Sequence, residues 1–207
     1  MKKTVIATLA LLALTPGLSQ AAPLSLGGIQ QAWAQCQYQQ SGDKQETCLK
    51  QLNSEAAEAS AAAPFNTDLL IWSAIVQSSW AGAKGGLGAL SLVKAAKTKL
   101  EIAIKQDPKA LDGSAYTSLG SLYYKVPGWP VGFGDDEKAE QLLKQALALN
   151  PDGIDPNFFY GDFLIDQGRK AEARSYLEHA LKAPDRPGRA LADQGRRAEA
   201  KGLLAKL

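Results

Sequence analysis

Cys36 and Cys48 are the only cysteines of the chain, and their chemistry depends on the compartment in which the protein folds. An even number of thiols in an oxidising compartment favours a disulfide, with two buried free thiols as the alternative. A structural metal site would need more ligands, and the only histidine, His179, is distant in the sequence. We therefore predict a Cys36–Cys48 disulfide, no metal site and no cofactor.

Patterns that would indicate catalysis are weak. The glycines of residues 82–88 surround Lys84 but lack the G-x-x-x-x-G-K-[ST] order that binds phosphate, and no G-x-S-x-G motif occurs. His179 follows Glu178 in a predicted helix, where a solvent-facing or partly packed side chain is a simpler interpretation than a catalytic base. The acids of residues 135–137 suit the positive end of a helix, with a calcium site as the alternative. We predict that the protein is not an enzyme.

The N-terminal residues have the layout of a secretory signal. Two lysines precede an apolar run over residues 5–14, and small residues at Ser19 and Ala21 suit cleavage at that point. The run is too short to span a bilayer, and no cysteine marks a lipoprotein cleavage site. We predict a signal peptide over residues 1–21 rather than an uncleaved anchor. The protein would then be periplasmic or secreted, without membrane insertion after cleavage.

The charge of the chain is close to balanced. Its 207 residues include 23 lysines and arginines and 21 aspartates and glutamates, and the signal peptide accounts for two of the lysines. A neutral domain lacks the positive field that attracts nucleic acid, so we predict no nucleic-acid partner. The mature chain is long enough for one compact domain with a sizeable core.

The elements that must position these residues are predicted to be paired helices. Residues 22–64 read as an N-terminal helical hairpin that carries both cysteines, and residues 65–207 as a helical repeat domain. Residues 166–173 and 193–200 are nearly identical, which indicates an internal repeat and a stack of helical units. Residues 193–207 would form a lone terminal helix that caps the stack.

The pair of helices in the middle of the chain resembles the tetratricopeptide repeat. The matching residues, on its first and then its second helix, are Tyr116, Leu119, Gly120, Tyr123, Ala139, Leu143, Ala146 and Pro151. The resemblance implies an all-α fold, a right-handed solenoid of helical hairpins with about three repeats and a C-terminal capping helix. Gly120 and Ala139 lie further apart than in the repeat, which predicts an insertion at residues 126–134.

Three further segments, residues 84–94, 122–135 and 157–161, are similar to a group of exported bacterial tetratricopeptide proteins. Some members of that group are named for association with TRAP-type solute transporters. The resemblance covers about residues 66–207 and leaves the cysteine hairpin outside it. It implies two functions: a non-enzymatic periplasmic scaffold that binds a protein or peptide, or a transporter accessory that binds a small solute.

The repeat family also implies where binding takes place. The first helix of each pair lines a concave groove, whose candidate binding residues here are Trp80, Tyr124, Lys125, Phe158, Phe159 and Asp162. Trp129 and Phe133 lie on the inserted loop, where they either contact a partner or pin the loop to the body. The alternative for the groove is that the N-terminal hairpin or the terminal helix fills it, which would make these aromatic residues part of the core.

Overall fold

A computed structural model describes residues 22–207, so the predicted signal peptide at residues 1–21 lies outside the described residues. Over this range the chain forms nine α-helices and no strand, which confirms the all-α prediction. A short 3₁₀ turn at Ala110–Gly113 lies between α4 and α5. The helices are α1 (Leu26–Gln39), α2 (Gly42–Ala62), α3 (Thr67–Lys84), α4 (Gly86–Gln106), α5 (Ser114–Lys125), α6 (Asp136–Leu149), α7 (Ile154–Asp166), α8 (Lys170–Lys182) and α9 (Ala190–Leu204).

The helices pack as hairpins that stack in chain order. The pairs α3/α4, α5/α6 and α7/α8 each share an extensive interface, and each pair contacts the next through α4 with α5 and α6 with α7. Helix α9 is not half of a hairpin, and it packs on α7 and α8 of the hairpin before it. The fold is therefore a helical-hairpin solenoid with three hairpins of this kind and a terminal helix, as the repeat pattern predicts.

Glycine allows the two helices of a hairpin to approach closely. A Cβ atom at Gly120 would lie 2.8 Å from Cγ of Leu143, and one at Gly161 would lie 2.8 Å from Cγ of Leu177. Both leucines are fully buried. The same contact thus recurs in α5/α6 and α7/α8, because a larger side chain would separate the helices and open the core.

The N-terminal hairpin is closed by the disulfide that the cysteine count predicts. Cys36 and Cys48 are bonded, with Cα atoms 5.5 Å apart, and join α1 to α2 beside the turn between them. Helix α2 packs along α3, and a buried cluster that includes Trp33, Leu49 and Trp72 spans α1, α2 and α3. The hairpin therefore continues the stack ahead of α3, and the division at residues 64 and 65 stays a prediction.

The two ends of the solenoid meet. Helix α1 contacts α9, where Gly195 lies against the ring of Tyr38 and the Tyr38 hydroxyl donates to Glu199 Oε2 at 3.4 Å. The helices α1, α3, α5, α7 and α9 also contact one another in chain order. These five helices consequently form a closed inner ring around a cavity.

The near-identical segments do not adopt the same structure. In the first copy Gly168 has φ +73° and forms the turn between α7 and α8, whereas in the second copy Gly195 lies within α9. The terminal helix begins at Ala190 and not at residue 193 as the repeat suggests. Tertiary packing explains the difference, because Gly195 is required against Tyr38 and its helix extends on both sides of that contact.

Candidate functional site

The inner ring of helices surrounds a cavity of about 1270 Å³. One wall carries a row of hydroxyl groups on α5: Ser114, Thr117, Ser118 and Ser121. Their spacing of three and four residues places them on one face of the helix. A row of this kind can hydrogen-bond the backbone or polar groups of a bound molecule.

Apolar and aromatic side chains from other elements also line the cavity. The ring of Trp33 on α1 meets that of Trp72 on α3 edge to face, with centroids 5.6 Å apart, and Trp33 Nε1 donates to Ser79 Oγ at 2.8 Å. Both indole rings are held by the buried cluster around them. Further apolar residues that line the cavity are Ile75, Leu90, Val93, Leu111 and Phe159.

A left-handed turn brings two of the lining residues to the cavity. Leu111, Asp112 and Gly113 are consecutive and have φ angles of +48°, +52° and +79°. For a residue other than glycine this conformation costs roughly 1–2 kcal/mol. The turn is held because Leu111 packs on two buried clusters, and Leu149 lies so close to Gly113 that a Cβ atom there would be 2.7 Å from its Cδ1.

Paired arginines converge on Asp155 at one end of the cavity. Arg186 Nη1 donates to Asp155 Oδ2 at 2.6 Å, and Arg196 Nε donates to Asp155 Oδ1 at 2.9 Å. Burial by itself raises the pKa of Asp155, but the charges of Arg196 and Arg186 outweigh it and lower the pKa to about 2. Arg186 also pairs with Asp193, which is only 1% exposed.

Arg196 fixes the two phenylalanines of α7. Its guanidinium lies 4.5 Å from the ring centroid of Phe158 and 4.6 Å from that of Phe159, and it donates to Glu199 Oε2 at 2.7 Å. Phe158 is buried beneath this group, whereas Phe159 lines the cavity. Of these two predicted binding residues, only Phe159 is in a position to contact a ligand.

Arg189 differs from its two neighbours. Its guanidinium stacks over the ring of Trp72, 4.8 Å from the centroid, and lines the cavity. Among residues 22–207 no carboxylate lies within ion-pair distance of it, and its buried Nε has no hydrogen-bond partner. Burial, and then repulsion from Arg186, lowers the pKa of Arg189 from its ordinary value.

Three other predicted residues meet between α5 and α7. Lys125 Nζ lies 2.8 Å from Asp162 Oδ2, and the Tyr124 hydroxyl donates to the same oxygen at 2.8 Å. Burial, together with the charge of Asp162, raises the pKa of Tyr124 well above its ordinary value. Lys125 lines the cavity, whereas Tyr124 is buried and joins the two helices.

The remaining predicted aromatics lie elsewhere. Trp80 packs on the N-terminal hairpin, and Phe133 packs edge to face on Tyr123 with centroids 5.5 Å apart. Trp129 is 90% exposed. Its loop is nevertheless fixed, because the amide of Gly134 donates to Pro127 O at 3.0 Å and closes the loop on itself. Of the two loop aromatics, Phe133 pins the loop and Trp129 is presented to solvent.

The sequence did not single out the charged end of the cavity. Its residues belong to five segments, namely α1, α3, α7, the segment before α9, and α9: Trp33, Trp72, Asp155, Arg186, Arg189 and Arg196. The one available signal was the cluster of arginines in the Pro/Gly-rich segment of residues 184–189, just before α9. The contacts of α1 with α3 and of α9 with α1 and α7 bring these segments together.

The part of the chain that the structure describes contains neither a metal site of clustered side chains nor a helix suited to spanning a membrane. Between residues 22 and 207 no three His, Cys, Asp or Glu side chains come together as a metal site. His179 pairs with Asp152 at 2.9 Å on the surface. Over the same range no helix combines the length and apolarity that a membrane span requires.

A comparison with protein families gives a match to part of this helical stack. Residues 132–187 match the tetratricopeptide repeat. The matched range runs from the end of the inserted loop through α6, α7 and α8, and it supports a tetratricopeptide-repeat protein. A search of curated proteins gives no match. Tetratricopeptide repeats are typically non-catalytic domains that bind other proteins, so the match favours an interaction scaffold over an enzyme.

Proposed function

We propose that this protein is a non-enzymatic scaffold of the periplasm or another extracytoplasmic compartment that binds a segment of a partner protein in its central cavity. The observation that carries the proposal is the cavity of about 1270 Å³ that successive inner helices surround. Both a row of hydroxyls and aromatic side chains line it. Aromatic residues bury a large area against a peptide while hydroxyls bind its backbone.

The rim of the cavity supports a protein partner. Leu87 at the start of α4 is 87% exposed and Val131 in the inserted loop is 53% exposed, and both line the opening. Trp129 lies two residues before Val131 on the same fixed loop. Exposed apolar residues beside a cavity are typical of a protein interaction site. The partner would then contact the rim as well as the interior.

The predicted export and the disulfide support the location. A disulfide persists in an oxidising compartment and is rare in the bacterial cytoplasm. Cell fractionation tests the location: the processed chain should appear in the periplasmic or secreted fraction, shortened by about the length of residues 1–21.

A second candidate function is the binding of a small solute. At about 1270 Å³ the cavity has room for such a ligand, because small-molecule pockets are on the order of 300–1,000 Å³. The family match carries no indication of a transporter, so the TRAP association stays a prediction from the resemblance.

Blocking the cavity tests the proposal. Peptides selected on the wild-type protein from a displayed library should bind Ser118→Trp at least about tenfold more weakly, because the indole would occupy the cavity next to the hydroxyl row. Gln141→Trp is the matched control, since residue 141 is exposed on α6 and does not line the cavity. Equal binding to both variants would place the peptide site elsewhere.

A further inference from the structure

Among residues 22–207, Arg189 is the basic side chain of the cavity that has no carboxylate partner. Arg186 and Arg196 both pair with Asp155, and they extend to Asp193 and Glu199 respectively. Arg189 lies beside them with a buried Nε that has no partner among the described residues. Its guanidinium lines the cavity without a carboxylate partner, and a guanidinium in this position can pair with an acidic group of a bound molecule.

We propose that Arg189 binds a carboxylate group of the ligand, which enters the cavity with its charged end toward α9. The inference rests on the cavity being the binding site. The cation–π contact of Arg189 with Trp72, at 4.8 Å from the ring centroid, restrains the position of the guanidinium. A guanidinium held in this way presents paired N–H donors that match the two oxygens of a carboxylate.

The ion pairs of the cavity favour a ligand with a single negative charge. The other basic side chains that line it already have carboxylate partners: Lys125 pairs with Asp162, Arg186 with Asp155 and Asp193, and Arg196 with Asp155 and Glu199. A phosphate dianion would carry a second negative charge into the neighbourhood of Asp155 without a further unpaired arginine among the described residues to meet it. A monoanionic carboxylate matches the single charge of Arg189.

The surroundings of Arg189 also define what carries the carboxylate. Trp33, Trp72 and Leu111 line the same end of the cavity, and their exposed surfaces are apolar. The ligand therefore carries an apolar group next to its carboxylate. Two sources share this chemistry: the C-terminal end of a peptide with apolar residues, and a free organic acid with an alkyl chain.

Matched pairs of probes distinguish the sources and test the role of Arg189. Octanoate is compared with octanamide, and an acetylated eight-residue Ala/Leu peptide with a free C-terminus is compared with its amidated form, by isothermal titration on the full-length mature protein. At least one acid should bind about tenfold more tightly than its amide. That preference should disappear in Arg189→Gln and persist in part in Arg189→Lys, which keeps the charge but not the fork.

Arg197→Gln is the matched control. Arg197 lies on α9 and pairs with Asp185, and it does not line the cavity, so this variant should keep the preference for the acid. Circular dichroism and thermal unfolding check that Arg189→Gln is folded. A folded Arg189→Gln that still prefers the acid overturns the assignment to Arg189.

The outcomes separate this inference from the proposed function. If acid and amide bind the wild-type protein equally and Ser118→Trp blocks both, the cavity is the site and the carboxylate inference is wrong. If no probe binds and library peptides bind Ser118→Trp as well as wild type, the cavity is not the site and both proposals fail. A preference for the acid in only one pair identifies the source of the carboxylate.

Discussion

Asp155 accepts hydrogen bonds from both paired arginines of the cavity, and its ionisation should contribute to stability. Its pKa falls from 3.8 to about 2 in the folded protein, so the unfolded chain binds the proton more readily. The stabilisation, about 2 kcal/mol, is present above pH 4 and is lost as the pH falls through 2. Urea unfolding of wild type and Asp155→Asn at pH 7 and pH 3 measures it.

Asp155→Asn should be less stable than wild type by about 2 kcal/mol at pH 7, because the amide removes the negative charge that Arg186 and Arg196 share, while Asp193 and Glu199 remain as their partners. The difference between the two proteins should shrink at pH 3 and below. Asp152→Asn is the control, since Asp152 is exposed and pairs only with His179. A wild type and an Asp155→Asn that lose stability in parallel over this range would contradict the assignment.

Trp129 and Trp72 should respond to truncation in opposite ways. Trp129 is 90% exposed, so Trp129→Ala should leave the free energy of unfolding within about 0.5 kcal/mol of wild type and weaken partner binding. Trp72 is 4% exposed in the core, and Trp72→Ala should cost about 3–5 kcal/mol. Thermal unfolding and peptide titration measure both effects. A large loss of stability in Trp129→Ala would assign that residue to packing.

At the scale of single residues, the sequence predicted the disulfide better than it predicted which side chains line the cavity. The count of two cysteines was sufficient for the disulfide. Lys125 and Phe159, which the repeat positions assign to the groove, line the cavity, and their role in binding stays a prediction. The repeat positions could not show that Tyr124 is buried and hydrogen-bonded to Asp162, because this contact depends on how closely α5 approaches α7.

At the scale of helices, the glycine contacts are the feature most open to test. Gly120→Ala and Gly161→Ala should each cost roughly 1–3 kcal/mol, because the added Cβ would lie 2.8 Å from a buried leucine. Gly202→Ala on α9 meets nothing within 4 Å and should stabilise the protein by about 0.5–1 kcal/mol through helix propensity. Denaturant unfolding of the three variants measures these values. Equal effects at the three sites would show that propensity and not packing decides them.

The sequence predicted the helix pairs but not every boundary between them. Hydrophobic period and Pro/Gly breaks were enough to place α3 to α8, because these signals are local. The near-identical segments misplaced the start of α9, since the same residues form a turn at Gly168 and a helix at Gly195. The contact that decides between them, Gly195 against Tyr38, involves residues from opposite ends of the chain.

At the scale of the whole molecule, the sequence could not show that the two ends of the helical stack meet. A repeat pattern specifies how each hairpin meets the next, but the curvature summed over the stack determines whether its ends meet. Here α1 reaches α9, and the concave groove becomes a central cavity with an opening at its rim. The N-terminal hairpin therefore does not fill the groove. It closes the ring and leaves the space inside it open.

Gly195→Leu should open this ring. Its side chain would occupy the position of the Tyr38 ring and separate α9 from α1, while leucine itself favours the helix over glycine. Small-angle X-ray scattering should show a larger radius of gyration, and amides of α1 should exchange faster. Gly202→Leu on the same helix is the control, because a Cβ atom there meets nothing within 4 Å. Unchanged scattering and exchange in Gly195→Leu would show that the α1 and α9 contact does not hold the cavity closed.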